Sequence, residues 1–449
     1  MTKEFTSSKV TEMQIKTEIV DLFKTKIKYV CALRKWIVYN GTKWDFDEDG
    51  KVLKEIISFI SEKTANSENS PYLKFTAYNK ILKIIELMKP FLAVNLCDLN
   101  KDDNLFNCKN RTIKLDAKKS TKHNRDYLIT KVSNVEIIKN STCAEIIKKS
   151  SCDEWLKFLN IITSSNQELI DYLQRVIGYC LSGYANEQCF FILYGNGMNG
   201  KTVFVETLRY VFGDYACSAP RSFILNEKEH NLNNDILNFL TSRLAILSEV
   251  EENSCINAKT IKIMSGNDTF AVNVGNETLE FKNKSKIFII TNTKPEIKES
   301  TDAIWRRVQI IPFVAEISEA DRDIFLFEKL KNEGAGILKW ALEGYQKWRD
   351  DGSLNPPEII RSETTAYKEQ MDNVFKFIEE KCIKDQEESI STTQLHECYT
   401  EFCRENGYKT LTQIRFVESL KAKGYEKIRI GNKRAVSGLF IKGARREAY

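Results

Sequence analysis

The sequence predicts an α/β fold: a parallel strand–helix core over residues 186–350, an α+β region ahead of it, and a small unit of three helices and a β-hairpin behind it. Three observations carry this reading. Between residues 186 and 313, apolar strand-like runs alternate with helical stretches, the pattern of a parallel sheet covered by helices. One of those runs, Phe190-Phe-Ile-Leu-Tyr194, leads directly into Gly195-Asn-Gly-Met-Asn-Gly-Lys201-Thr202 and then a helical segment, Val203 to Phe212. Beyond residue 372, three helical patterns are followed by two short strand-like runs around Gly431-Asn-Lys-Arg434.

The bulk numbers bound the rest. The chain has 449 residues, 42% hydrophobic and 29% charged, which is ordinary globular composition with room for about two to four domains. No run of ~18 apolar residues is present, so no membrane span or membrane partner is expected. Met1 to Lys9 lacks an apolar signal core, and a cytoplasmic location is expected. The twelve cysteines include no Cys-x-x-Cys and read as free thiols. His396, Cys398 and Cys403 fit no zinc spacing and read as helix packing. The net charge of +5 is uneven: Arg404 to Arg446 holds twelve Lys/Arg against three Asp/Glu. A basic C-terminal segment on a near-neutral body points to a polyanion such as nucleic acid, although a lysine-rich surface explains the same count.

The N-terminal region reads in order as follows. Met13, Ile19, Leu22, Phe23, Ile27 and Val30 follow a helical period, so the first 30 residues are expected to be helical. Trp36 to Trp44 predicts two strands around an Asn-Gly turn. Lys51 to Lys63 is an amphipathic helix, Ser67 to Pro71 a break, and Tyr78 to Met88 a further helix. Residues 104–137 are strand-like. The acidic run Asp45 to Gly50 imitates the start of a calcium loop, but its twelfth position is Ile56 rather than Glu, so a turn into the next helix is expected. Cys152 to Leu181 is a helical approach to the core, and residues 324–349 are helical again. Gly352 to Pro357 forms a linker, followed by another amphipathic helix.

The Gly195–Thr202 loop has the G-x-x-x-x-G-K-[ST] spacing in its required setting, between a buried strand and a helix. Glycines let the backbone amides of Gly195, Asn196, Gly197, Asn199, Gly200, Lys201, Thr202 and Val203 wrap phosphates at a helix N-terminus. Lys201 reaches the terminal phosphates and Thr202 offers a hydroxyl to Mg²⁺, so ATP and Mg²⁺ are the expected ligands. Arg243 to Glu249 is an apolar run ending in a carboxylate, which suits Glu249 for polarising the attacking water and supporting the metal. Ser248 stands where a second acid would help. Glu251 and Glu252 follow, either as water-mediated metal support or as solvated helix-start acids. Lys286 to Asn292 is a third strand ending in an amide that can sense the γ-phosphate or simply form a turn. Arg306 and Arg307 are either a surface pair or arginines that reach a neighbouring subunit's site.

Taken in order, these residues resemble the superfamily 3 helicases. The branch is that of poxvirus primase-helicases, satellite-phage primases and replication initiator proteins of phages and staphylococcal-type pathogenicity islands. The series is Gly195 to Thr202; Leu244 to Glu249; Ile261-Lys262-Ile-Met-Ser-Gly266-Asn-Asp268; Phe281; Ile289 to Asn292 with Lys294-Pro295; and Trp305 to Phe313. Trp36 to Trp44 and Leu105 to Leu115 look like the region that accompanies this ATPase, so the resemblance spans about residues 30–345. It implies an AAA+ P-loop core, a homo-oligomer that is usually a hexameric ring, and 3′→5′ movement on single-stranded DNA in the central pore. The segment between Asp268 and Phe281 corresponds to the pore hairpin. The family's basic residue is absent there, which leaves Lys262, Lys282 and Lys284 as DNA-gripping candidates. Arg111 sits where the family usually has Gly. The ~150 residues before the ATPase leave no room for a primase domain, so a stand-alone helicase is expected, with priming left to other, possible host, replication proteins.

The C-terminal helices are expected at Asp372 to Ile383, Thr392 to Asn406 and Thr412 to Lys423, with a hairpin of Glu426 to Ile430 and Ala435 to Lys442. Three helices plus a two-stranded wing make a winged helix-turn-helix, whose third helix enters the major groove. Arg415, Lys421 and Lys423 lie on that helix, and Lys427, Arg429, Lys433 and Arg434 on the wing, as contacts to duplex origin DNA. The expected domains are thus residues 1–145, a helical collar or oligomerisation segment at 146–185, the ATPase at 186–350, a linker at 351–371 and the winged helix at 372–449. The function expected is an ATP-dependent DNA helicase that initiates replication of a mobile element. The alternatives are an AAA+ DNA-binding regulator and a double-stranded DNA pump.

Overall fold

The computed structural model describes residues 10–65, 70–137, 151–226, 238–248, 250–251, 254–266, 268–274, 277–299, 302–408, 410–431 and 433–442. The chain divides into two compact units, Met1–Pro295 with Arg307–Pro357 and Glu296–Arg306 with Glu358–Tyr449.

The first unit opens with helix α1 (Glu12–Phe23), started by a reciprocal cap in which the Gln14 amide donates to the Thr11 hydroxyl and Thr11 N donates to Gln14 Oε1 at 2.8 Å. The helical period does not continue to Val30 as expected. Ile27–Val30 is strand β1, paired with antiparallel β2 (Lys35–Tyr39). On its other side it pairs with parallel β4 (Ala93–Val94). Two ladders and a buried β-branched and aromatic face outweigh a helical repeat that would have had one buried stripe. Strand β3 (Trp44–Phe46) completes the hairpin, with Asn40 Oδ1 accepting from the amides of Thr42 and Lys43. The acidic run is a helix cap: the Asp47 carboxylate accepts from Lys51 N at 2.6 Å and Val52 N at 3.0 Å, starting α2 (Lys51–Ala65). With α3 (Tyr78–Met88), these helices enclose a core that includes Ile15, Ile19, Ile56, Ile60, Ile84 and Met88.

A three-stranded antiparallel meander follows, in the order β5 (Leu105–Asn107), β6 (Thr112–Lys114) and β7 (Lys119–Thr121). Helices α4 (Asp153–Ile162) and α5 (Gln167–Cys180) replace the single helical approach. The break falls at Ser164 and Ser165, both at positive φ (51° and 61°), before Asn166 caps α5. Helix α5 is packed into the core. It meets α9 (Gly334–Asp351) backbone to backbone: a Cβ on Gly178 would lie 2.1 Å from Tyr345 N, and one on Gly344 1.8 Å from Gln174 O.

The central sheet is wholly parallel, in the order β14-β8-β13-β10-β9. Its strands are β8 (Phe190–Tyr194), β9 (Ala216–Ser218), β10 (Leu244–Leu247), β13 (Lys286–Thr291) and β14 (Val308–Pro312). Both faces are covered, so the strands read as continuous apolar runs. Helix α6 (Lys201–Phe212) follows β8, and α7 (Ala258–Ser265) precedes an antiparallel hairpin of β11 (Thr269–Val274) and β12 (Glu277–Lys282). Helix α8 (Leu326–Asn332) leads into α9.

The second unit contains a helical turn at Asp302–Trp305 and helix α10 (Glu358–Met371), which falls in the latter part of the expected linker. Trp305 packs edge-on against Tyr367, and Lys368 pairs with Asp302 at 2.7 Å. Three helices follow: α11 (Asn373–Lys381), capped by Asp372, α12 (Thr392–Glu405) and α13 (Gln413–Ala422). Their core holds Phe377, Tyr399, Phe402 and Phe416. The expected hairpin of β16 (Lys427–Ile430) and β17 (Lys433–Ile441) is present, but a third strand, β15 (Cys382–Ser391), pairs with β17, giving the order β15-β17-β16. His396 Nε2 lies 2.8 Å from the Leu411 carbonyl, an internal packing contact.

Candidate active site

Strand β8 drives the chain into the loop from the middle of the sheet, between β13 and β14. The loop then needs glycine at defined points. A Cβ on Gly195 would lie 2.3 Å from Asn199 Nδ2 and 2.4 Å from the Phe313 carbonyl. Gly197 and Gly200 have φ of +49° and +85°, and Met198 shares the left-handed region at +45°. Asn199 Nδ2 donates to Phe313 O at 3.2 Å, tying the loop to the end of β14.

The Lys201 ammonium sits inside this loop. It donates to Gly195 O at 2.5 Å and to Asn199 Oδ1 at 2.9 Å, and the residue is 5% exposed. Burial lowers its pKa from the usual lysine value. The group is therefore a desolvated cation held by two weak neutral acceptors, a setting that favours an arriving anion. Asn196 and Gly197 are exposed at the loop tip; Thr202 is exposed and Val203 half-buried at the start of α6, where unpaired amides add partial positive charge. Close-fitting glycines, a buried ammonium and a helix N-terminus fit a polyphosphate.

A cleft of about 520 Å³ opens beside the loop. Lys201, Thr202 and Glu206 line it from α6, Ser248 and Val250 from the end of β10, and Thr291 and Asn292 from the end of β13. The structure thus brings together Lys201, Thr202 and Asn292. Glu249 lies outside the described residues, as does Glu252; Glu251 is exposed and 3.9 Å from Arg221.

Residues 17–164 match the family model described as D5 N terminal like, and residues 369–446 match the one described as Poxvirus D5 protein-like. A protein named "Putative helicase" from Acanthamoeba polyphaga mimivirus is 27% identical over 265 residues, 54% of this chain and 27% of its own length. A similarly named protein of Frog virus 3 is 28% identical over 230 residues, 46% of this chain and 23% of its own length. Primase D5 of Fowlpox virus is 23% identical over 172 residues, 36% of this chain and 21% of its own length. Over these regions the chain is similar to the D5-type viral primase-helicase branch. It covers about a quarter of the length of the curated relatives it matches. The fold is similar to that of the apo C-terminal region of NrS-1, with a TM-score of 0.50 and 12% identity over 96% of this chain and 100% of that one.

Two of the expected residues are engaged within the chain. Arg307 is 7% exposed, with its guanidinium 3.5 Å from Gln188 Oε1. Its main chain is also committed, with the Arg307 carbonyl accepting from Phe190 N. Arg306 is the exposed member of the pair. Lys284, expected to grip DNA, is engaged by groups of its own chain. Its ammonium pairs with Asp103 at 2.5 Å and donates to the carbonyls of Asn100 and Lys101, anchoring the base of the β11–β12 hairpin to the N-terminal region. Burial lowers its pKa, opposed by the Asp103 carboxylate. Lys282 is exposed at the end of β12, and Lys262 is half-buried on α7.

In the second unit, Arg415, Lys421, Arg429, Lys433 and Arg434 are all exposed. Lys421, Lys433 and Arg434 line a groove of about 1050 Å³ with Gln413 and Ile414 of α13. Sequence reasoning missed Glu206 and Thr291 as cleft residues. The signal for Glu206 was available, since it lies four residues after Thr202 and so on the same helix face. Thr291 immediately precedes Asn292.

Proposed function

We propose that this chain is an ATP-hydrolysing DNA helicase of the AAA+ superfamily 3 type, acting in replication of a viral or other mobile element. The observation that carries the reading is the buried Lys201 ammonium facing one cleft with Thr202, from the start of the same helix α6, and Asn292, from the end of β13 of the parallel sheet. The strand order, five-one-four-three-two in chain sequence, puts the loop where strand connections diverge, the usual ligand position in open α/β sheets.

In this reading Lys201 leaves Gly195 O and Asn199 Oδ1 for the terminal phosphates, exchanging neutral acceptors for charged ones. Amides at the start of α6 hold the remaining oxygens. Thr202 directs its hydroxyl at Mg²⁺, which when bound with the nucleotide would neutralise charge on the phosphates. Glu249 polarises the attacking water, a role of the kind that contributes about 10²–10⁴-fold. Asn292 hydrogen-bonds the γ-phosphate at the end of β13, so loss of that phosphate is felt by the strand that follows the β11–β12 hairpin. Arg306, exposed, reaches the site of a neighbouring subunit in a hexameric ring. The β11–β12 hairpin, with Lys282 and Lys262, faces single-stranded DNA in the pore, and movement is 3′→5′. The second unit is a winged helix in which α13 and the β16–β17 wing bind duplex origin DNA. Host replication proteins assist loading, in the cytoplasm.

The test is unwinding of forked substrates carrying either a 3′ or a 5′ single-stranded tail. Glu249→Gln is expected to bind ATP and to lose strand separation on the 3′-tailed substrate. Intact unwinding by that variant removes Glu249 from its role, and ATP hydrolysis without unwinding of either substrate refutes the helicase reading. Translocation along blunt duplex without strand separation would identify a pump instead.

A further inference from the structure

We infer a second nucleic-acid surface on the first unit: the β6–β7 hairpin and the turn after it bind the phosphate backbone of duplex DNA. Within residues 109–125, besides Arg111, lie six cations, Lys109, Lys114, Lys118, Lys119, Lys122 and Arg125, of which five are exposed and Lys114 is half-exposed. The fold gathers them. Lys114 and Lys119 are direct cross-strand partners. Lys118 closes the turn between the strands, its amide donating to Leu115 O. Arg111 reaches across to Ser120 with Nε at 3.1 Å from Oγ, and His123 Nε2 lies 3.3 Å from Lys109 O, bringing the start of β6 beside the residues after β7. The Lys114 ammonium lies 5.5 Å from the centre of the Tyr127 ring, next to Arg125.

Two features separate this group from an ordinary lysine-rich surface. Elsewhere many exposed lysines have carboxylate partners, often three residues away, as in Lys24–Asp21, Lys101–Asp98 and Lys157–Glu154. Here, among the described residues, none of the six cations has one. The one acid in the segment, Asp116, is engaged by the hydroxyls of Tyr345 and Tyr184 and by Arg349. Asp126 follows immediately after the segment. Secondly, like charges directly opposite each other on paired strands destabilise a sheet, so the Lys114–Lys119 pair is a local cost that an anionic ligand would relieve. The edge strand β7 has no neighbour on its outer side in this sheet, so nothing in the meander covers the cations.

The occupant argued for is duplex rather than single-stranded DNA. Single strands are held largely by stacking of bases on exposed aromatic rings. Tyr127, the phenol ring beside the cluster, is half-buried and already faces the Lys114 ammonium, and the His123 ring is half-buried against Asn107 and Lys109. A duplex carries about one charge per 1.7 Å of axis and rewards point cations without stacking.

The experiment is anisotropy titration of the full chain with a labelled, blunt, random-sequence duplex over a range of salt, compared with a single strand of the same length. The variants are Lys118→Gln/Lys119→Gln/Lys122→Gln, and the same triple change in a Lys433→Gln/Arg434→Gln background. Three lost phosphate contacts should lower the log–log salt slope for duplex by about 2–3 and weaken binding at least about tenfold near 0.1 M salt. An unchanged slope in both backgrounds overturns the inference, as does a loss confined to the single strand. Should the triple variant fold poorly, Lys119→Gln alone carries the test: it relieves the like-charge pair, so its Tm should hold or rise while the duplex slope falls by about one. The inference stands apart from the helicase reading, since it needs no ATP and no strand separation.

Discussion

Lys286 offers a direct test of how the core is built. It begins β13, the strand that ends beside Asn292, and it is 3% exposed. Its ammonium donates to Ser182 O at 2.5 Å and lies 4.6 Å from the Tyr179 ring centre. Burial pushes its pKa down to about 7, with Arg243 and Lys284 reinforcing the direction and Cys180 and Asp103 opposing it. In the unfolded chain the group returns to about 10.4, so between these values the unfolded chain holds a proton that the folded one lacks, and stability rises with pH. At one proton the limit is about 1.4 kcal/mol per pH unit, and from pH 7.5 to 9 this site contributes about 2 kcal/mol. Lys131, pushed down to about 8, adds in the same direction. Buried thiols act oppositely at higher pH, because Cys180 is pushed up to about 12 and unfolding then releases a proton. Lys286→Met removes only the first contribution, while the carbonyls it leaves unpaired add an offset that does not depend on pH. Denaturant unfolding followed by tryptophan fluorescence suits the measurement, since Trp36, Trp44, Trp155, Trp340 and Trp348 lie in the first unit. The stability of the variant relative to the unaltered chain should be about 2 kcal/mol more favourable at pH 7.5 than at pH 9. Parallel pH curves for the two proteins would refute the argument.

Lys201→Ala should weaken ATP binding by about 3 kcal/mol or more, or over 100-fold, from two lost charge-assisted bonds; calorimetric titration showing undiminished affinity would remove Lys201 from the site. Gly195→Ala places a methyl 2.3 Å from Asn199 Nδ2 and 2.4 Å from Phe313 O, and should abolish ATP binding at a stability cost of about 1–3 kcal/mol, read by ligand titration and thermal unfolding. Lys284→Ala should lower stability by about 1–2 kcal/mol through the loss of Asp103 and the two carbonyls, with single-stranded DNA affinity unchanged; the reverse pattern would restore it as a DNA contact. In mixed assemblies, Arg306→Ala subunits combined with Lys201→Ala subunits should recover ATPase sites if Arg306 acts in trans, and strictly no recovery would count against it.

The phosphate loop was legible because its chemistry demands particular residues at fixed spacing, and the core strands because covering both faces leaves apolar runs such as Phe190–Leu193. Strand β15 was not. Seven of its ten residues are polar, only Cys382 and Ile390 are buried, and its register shifts between Lys384 and Ser389, so pairing with β17 rather than its own pattern makes it a strand. Strand β1 was hidden for the opposite reason, since Ile27 and Val30 also continue the period of α1. The roles of Arg307 and Lys284 depend on partners far along the chain. Gln188 precedes Arg307 by more than a hundred residues, and Asn100 precedes Lys284 by more than a hundred and eighty, and no local pattern reports either.

Partners far along the chain also explain how the N-terminal region is attached. Lys131 is buried and donates to Asp214 O at 3.1 Å, Asn238 Oδ1 at 3.0 Å and Ser242 Oγ at 3.3 Å. The Ser133 hydroxyl donates to Val211 O at 2.5 Å, Lys43 pairs with Asp214 at 2.7 Å, and Phe106 stacks on Tyr215 at 4.6 Å. Val211, Asp214 and Tyr215 lie at or just past the C-terminal end of α6, whose other end carries Lys201 and Thr202. A twelve-residue helix is about 18 Å long and stiff on that scale, so what holds its first turn is transmitted to what grips its last. The β5–β7 meander, and the cations on its edge, are thereby fixed to the phosphate loop by a single strut rather than by a flexible connection. Occupation of the loop should therefore slow amide hydrogen exchange at residues 131–135 together with residues 211–215. Lys201→Ala should abolish both effects. Protection confined to the loop and the first turn of α6 would show that the strut does not carry the signal.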